Sequence, residues 1–326
     1  MYKLVVLALL AALVAAVGAS SAAAKPRGLN GKIVLNSDNN VTGEEQVYTI
    51  DPDGSDMKPL MNGETGQWSP DGTKIYIDGG VLNFDTGSFT DLQLPTLYPD
   101  LFVGCGAWSP DGARLACEGG FTDPSLQGAY TLRSSDGGDL QRVTTAPITH
   151  TPDGDFAADD CPGDYSPNGK QLVFIRGSDS GNVLFTVKLD GSGLRQITPD
   201  GMELNFTCGS WSPQGNEILF SAHVPADNRG TIWAVHTDGT DLHQIPIQGC
   251  GGVANLPDGS RNPDAAGCNQ PSWSPDGQKI LFTRQQGNEQ SDDYTVNSDG
   301  SGLFQLTHTP DISEGGGDWG THPVTP

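Results

Sequence analysis

A chain of 326 residues, 35% hydrophobic and only 17% charged, carries enough apolar material for a folded core, which excludes an intrinsically disordered class. Its net charge of −23 repels phosphate backbones and excludes nucleic acid as a partner, leaving a basic protein, a cation or plain solubility as what the acid serves. Six cysteines fit an oxidising compartment and up to three disulfides.

The chain begins MYKLVVLALLAALVAAVGASSAAAKP, one Lys ahead of an apolar run and then small residues of the Ala-x-Ala kind. That is the pattern of a secretory signal peptide over residues 1–24, cut near Ala24. The run from Leu4 to Val17 is short for a membrane span, and no cysteine lies near the cut for lipidation. No later stretch is apolar for long enough to cross a bilayer. The expectation is an exported protein, periplasmic, in the cell envelope or extracellular, whose mature part is a single domain over residues 25–326 and a monomer.

Beyond the leader, residues 32–61 read as three strands, KIVL, QVYTI before a DPDGSD turn, and MKPLM. A five-residue unit then recurs: WSPDG at Trp68, Trp108 and Trp273, WSPQG at Trp211 and YSPNG at Tyr165. Ser at the first position of a turn, Pro at the second and Gly at the fourth suit a type I turn whose glycine takes the following positive φ. A short apolar strand follows each copy (KIYI, RLAC, QLVF, EILF, KILF), too short for a helix and rich in β-formers. A third strand ends in a second glycine turn, as in VLFTVKLDGSG, and a fourth closes the unit, as in LRQIT. Four antiparallel strands per unit, repeated along the chain, predict an all-β propeller. The first unit lacks its opening strand, and GGGDWGTHP at residues 315–323 supplies one, with Trp319 in the aromatic position. The prediction is therefore six blades, with a ring closed by pairing of the C-terminal inner strand with the N-terminal three strands.

The WSPDG turn, the ILF-type strand, the DGS turn and the LxxLT ending resemble the TolB-type propeller repeat, a WD40-like repeat found in the periplasmic protein TolB and in the propeller domains of some peptidases and lyases. The resemblance covers nearly the whole mature chain and speaks to the fold more than to any one function. Only a few residues separate the expected signal cut from the first strand, so the amino-terminal α/β domain of TolB is expected to be absent, and a hydrolase domain of the peptidase kind likewise.

Strand parity puts the SPDG and DGSG turns on one face of the ring and every long loop on the other, where binding residues collect on rigid scaffolds. Cys105, Cys117, Cys161, Cys208, Cys250 and Cys268 all fall toward that long-loop face. Of the fifteen ways to pair six cysteines, one set suits the geometry: Cys105 with Cys117, Cys161 with Cys208 and Cys250 with Cys268. A metal site among them is disfavoured, because no spacing approaches Cys-x-x-Cys and no His sits beside a Cys.

No catalytic signature appears among the scattered histidines; His150 and His223 fall on the long-loop face and could serve there as acid or base. Acidic residues are the more informative set. Asp159, Asp160 and Asp164 precede Tyr165, Asp264 lies in the long loop before Trp273, and Glu314 and Asp318 precede Trp319. Placed around the channel mouth, these six form a candidate ring for a Ca²⁺ ion or for a Lys or Arg of a basic partner; a generally acidic surface is the plainer explanation. DPDGSD at residues 51–56 lacks the downstream Glu of a calcium loop and reads as a β-turn. The function expected is a non-catalytic scaffold binding a protein or peptide partner through the long-loop face, with no cofactor required. The other reading is a metal-dependent lyase or hydrolase acting on a polysaccharide or small ester, since propeller active sites draw on several blades and need show no motif.

Overall fold

The computed structural model describes residues 29–324 except 40–42, 65, 122, 152–153, 179–180, 206–207, 225–226, 253–261, 263–265 and 286–289. The signal peptide expected over residues 1–24 and the candidate ligand Asp264 lie outside the described residues.

The repeated pentapeptide folds the same way at each copy because its residues bond to one another. In the first, the Gly72 N–H donates to the Ser69 carbonyl at 2.9 Å, the Ser69 hydroxyl donates to Asp71 at 2.6 Å, and that hydroxyl accepts the Lys74 N–H at 2.9 Å. The second repeats these bonds with Ser109, Asp111, Gly112 and Arg114. Gly72 and Gly112 both sit at a φ of 69°, a conformation in which a side chain is strained. Each such turn reverses the chain into a second strand, and successive hairpins build a blade.

Six blades result. Blade 1 orders Ile312–Trp319, Ile33–Asn39, Glu45–Ile50 and Lys58–Asn62 from the axis outward. Blade 2 is Gly66–Trp68, Lys74–Ile77, Gly80–Asn83 and Phe89–Asp91. Blade 3 is Leu101–Trp108, Arg114–Phe121, Gly128–Arg133 and Gln141–Arg142, and blade 4 is Asp159–Tyr165, Gln171–Ser178, Gly181–Lys188 and Arg195–Gln196. In blade 5 the inner edge is split into Glu203–Leu204 and Ser210–Trp211, both pairing with Glu217–Val224, followed by Asp227–His236 and His243–Gln244. Blade 6 is Gly267–Trp273, Lys279–Gln285, Ser291–Asn297 and Phe304–Gln305.

The ring closes as expected. The C-terminal strand pairs antiparallel with the first, Trp319 opposite Ile33 and Ile312 opposite Asn39. The Trp319 indole N–H donates to the Gly31 carbonyl at 3.0 Å, and the Gly31 N–H donates to the Gly320 carbonyl at 3.0 Å. This pairing removes two sheet edges and ties the ends of the described chain together.

The six aromatic positions, Trp68, Trp108, Tyr165, Trp211, Trp273 and Trp319, are all buried. One apolar cluster fills each of the six interfaces between successive blades; between blades 5 and 6, for example, Leu219 and Ile232 meet Trp273, Ile280 and Phe282. Middle strands face a neighbour on both sides, which is why KILF and QLVF are continuously apolar rather than alternating.

All three disulfides pair as the spacing predicts: Cys105 with Cys117 across the first hairpin of blade 3, Cys161 with Cys208 between blades 4 and 5, and Cys250 with Cys268 at the entry to blade 6. Two features were not foreseen. A hairpin of Ile148–Thr151 and Gly154–Ala157 stands ahead of blade 4, and a short helix, Leu94–Leu97, links blades 2 and 3.

Candidate functional site

Three connected spaces run along the ring axis and its long-loop face. A channel of about 290 Å³ is walled by the inner strands, including Gln67, Gly106, Gly163, Ser210, Ser272 and Asp318. Above it lies a basin of about 710 Å³ over blades 1, 2, 5 and 6, with Asp38, Glu45, Glu64, Arg229 and Glu314 among its walls. A groove of about 450 Å³ over blades 5 and 6 shares Arg229, Gln270 and Glu314 with the basin and adds His223 and Asn205. Gln270 touches all three spaces. Its φ of 53° comes from a bulge in the blade 6 inner strand between Asn269 and Ser272. A non-glycine residue in that conformation costs of order 1 kcal/mol, a strain more often found at working sites than elsewhere.

The residue just before the aromatic lines the channel in blades 1, 2, 4, 5 and 6, and there the candidate aspartates are employed in holding the ring. Asp318 of blade 1 accepts the Trp68 N–H of blade 2 at 2.8 Å. Asp164 of blade 4 accepts the Trp211 N–H of blade 5 at 2.9 Å, and Ser210 of blade 5 accepts the Trp273 N–H of blade 6 at 3.3 Å. The strands come very close at this level: a Cβ on Gly163 would stand 2.1 Å from the carbonyl oxygens of Cys208 and Gly209. A side chain bonding across so narrow a gap joins neighbouring blades that share no sheet.

The other candidates divide. Asp160 is buried and held by Arg176 through two 2.6 Å contacts, with the Thr144 hydroxyl donating at 2.5 Å. It stands away from the channel. Asp159 is exposed; it lies near Glu118, whose carboxyl is pushed up by burial and by the Asp159 charge. Of the five predicted acids among the described residues, Glu314 alone borders the basin. Its side chain is fully buried, one carboxylate oxygen accepting from the Thr309 hydroxyl and Oε2 meeting no donor among the described residues. Burial first, then the charges of Asp293 and Asp292, raise its pKa to about 8. Asp293, equally buried, accepts from Thr283 at 2.7 Å, and burial with the Asp292 charge raises it to about 7. Also in blade 1, hydrogen bonding to Glu64 pushes Glu45 up, with the charges of Asp38 and Asp78 adding to it.

Among the described residues, no group of three or more His, Cys, Asp or Glu is placed to hold a metal ion. The DPDGSD segment is a turn, Asp53 accepting the Ser55 N–H at 2.9 Å and Asp51 bonding the buried Lys32 at 2.6 Å. His150 sits on the exposed extra hairpin, 2.7 Å from Asp155.

No model of a known protein family matches the chain. An uncharacterized protein of Agrobacterium fabrum is 24% identical over 131 residues, which are 37% of this chain and only 38% of that protein. Among solved structures, TolB from Acinetobacter baumannii superposes with a TM-score of 0.65 at 17% identity, over 89% of this chain and 66% of TolB. The fold is a TolB-like propeller. An oligogalacturonate lyase in complex with manganese also superposes, with a TM-score of 0.52 at 12% identity, over 82% of this chain and 71% of the lyase. Identities this low speak to architecture alone.

Several residues bordering the TolB-like propeller's basin were absent from the sequence-derived set: Asp38, Glu45, Glu64 and Arg229. A faint signal existed for the first two, since both flank the connection between the second and third strands of blade 1, which parity puts on the long-loop face. The same parity puts Glu64, on the link from blade 1 to blade 2, and Arg229, beside the turn between the second and third strands of blade 5, on that face too.

Proposed function

We propose that this TolB-like propeller is an exported, non-catalytic scaffold that binds a protein or peptide segment through the basin on its long-loop face. The observation that carries this reading is the basin itself, an open space of about 710 Å³ at the end of the ring where the long loops gather, with three exposed carboxyl side chains, Asp38, Glu45 and Glu64, against one arginine, and the buried Glu314 in its wall. Such a surface complements a basic segment. Export is supported by the leader-like opening sequence and by three disulfides, which persist in oxidising compartments. Among the described residues, no helix is long and apolar enough to cross a membrane.

The test is direct binding of short synthetic peptides of basic, neutral and acidic composition, read by fluorescence anisotropy. The basic peptide should bind best, lose affinity as salt rises, and lose roughly severalfold more with the double variant E45Q/E64Q, as expected for exposed charges. Absence of binding to any basic peptide counts against the scaffold. One observation favours a second reading: His223 and the buried Glu314 border the same groove, a pair of groups suited to proton transfer. Turnover of an oligosaccharide or ester that is lost with chelator and with H223A would move the assignment to a metal-dependent lyase or hydrolase.

A further inference from the structure

We propose that one cationic side chain of the partner, an ammonium or a guanidinium, seats in the basin with Glu314 as its buried counter-charge. This inference rests on the scaffold reading and names the chemistry of its central contact.

Three independent observations point to it. Glu314 is the fully buried carboxyl of the basin wall, and its Oε2 has no hydrogen-bond donor among the described residues. Buried polar atoms without partners are rare in folded chains, and each such atom in a cavity wall is a place where a ligand group can complete the bonding. Second, three exposed acids, Asp38, Glu45 and Glu64, border the same basin and give it a negative field, although Asp38, one residue along the blade 1 ladder from Glu314, faces the other side of that sheet. Third, the cation that also borders the basin, Arg229 on blade 5, is already engaged in an interaction of its own.

A proton linkage follows. Glu314 lies against Asp293 and Asp292 of the blade 6 third strand, with His308 acting on Asp292; Asp38, Glu45, Glu64 and Arg229 are the other charged groups that border the basin. Burial among these acids keeps Glu314 protonated at neutral pH, since its pKa is about 8. A cation arriving beside it favours the carboxylate, so binding expels a proton. With about one tenth of Glu314 ionised at pH 7 and about nine tenths at pH 9, affinity should rise roughly tenfold over that interval.

The experiment is isothermal calorimetry of the full chain with one peptide made in three forms, bearing a single Arg, a single Lys or a Gln at the same place, between pH 7 and 9 and in two buffers of different ionisation enthalpy. The Arg and Lys forms should bind, release about one proton at pH 7, and tighten roughly tenfold by pH 9. E314Q should abolish both the release and the rise, and R229Q should strengthen binding. Equal binding of the Gln form overturns the inference, as does a pH rise retained in E314Q, which would assign the proton to Asp293. Loss of binding in R229Q overturns it too, because it marks an anionic ligand, and so does saturable binding of Ca²⁺ that displaces the peptide. Should E314Q fold poorly, D293N decides instead: it keeps the proton release if Glu314 is the source and loses it if Asp293 is. A basic peptide that binds E314Q and the unaltered chain identically removes this contact while leaving the scaffold reading in place; no basic peptide binding at all removes both.

Discussion

Replacing Glu314 by glutamine should stabilise the fold at alkaline pH and leave it nearly unchanged in acid. Glu314 is fully buried, and its carboxyl is raised from an ordinary 4.5 to about 8. The native state therefore keeps a proton that the unfolded chain releases, so stability falls as pH rises from about 4.5 and the loss is complete above about 8. At ~1.4 kcal/mol for each tenfold change, the whole interval amounts to about 5 kcal/mol, an upper bound that water entry would reduce. Asp293 adds a parallel loss between its ordinary 3.8 and about 7. The amide of E314Q fills the same space and does not titrate. The variant should match the parent within about 1 kcal/mol near pH 5 and exceed it by about 2–5 kcal/mol at pH 9. Urea unfolding followed by tryptophan fluorescence, with the disulfides intact, measures the gap at each pH. A gap that stays constant from pH 5 to 9 would refute the burial argument for Glu314, whatever its size.

Two further outcomes follow from the ring itself. Asp318→Ala leaves the buried Trp68 N–H without its acceptor at the closing seam, and Asp164→Ala does the same to Trp211; each should lower unfolding free energy by about 1–3 kcal/mol, with the larger loss at Asp318, where the bond is fully buried. Serine replacement of the Cys161 and Cys208 pair, 47 residues apart, should cost about 4 kcal/mol against about 3 for Cys105 and Cys117, 12 apart, as urea midpoints of the two variants would show.

Much of the architecture was legible in the linear sequence, because each blade is a local object. The Ser, Asp and Gly of the pentapeptide bond to one another within a few residues, and the strand after each turn announces its double-sided burial by running apolar after its first residue. Six aromatic positions, one of them at the far end of the chain, sufficed to count blades and to foresee closure. Cysteine pairing followed because strand parity put all six at one level of a repeating frame.

The site was much less legible, for a physical reason visible in the aspartates. Asp164 and Asp318 share a repeat position, and the sequence presents them as two equivalent acids at a mouth. Whether such an acid is free to bind depends on how close the next blade comes, and the inner strands approach so tightly that its carboxylate reaches the neighbouring Trp N–H. Asp160 is spoken for in the same manner by Arg176, one strand over. Glu314 differs from them only in lying higher on its strand, where Thr309 satisfies one oxygen and nothing described satisfies the other. Local turn and strand chemistry thus lay within the sequence, since the interacting atoms are neighbours along the chain. The distribution of charge around the basin, where Asp38, Glu45, Glu64, Arg229 and Glu314 converge from residues nearly three hundred apart, was decided only when the ring closed and brought the first and last strands side by side.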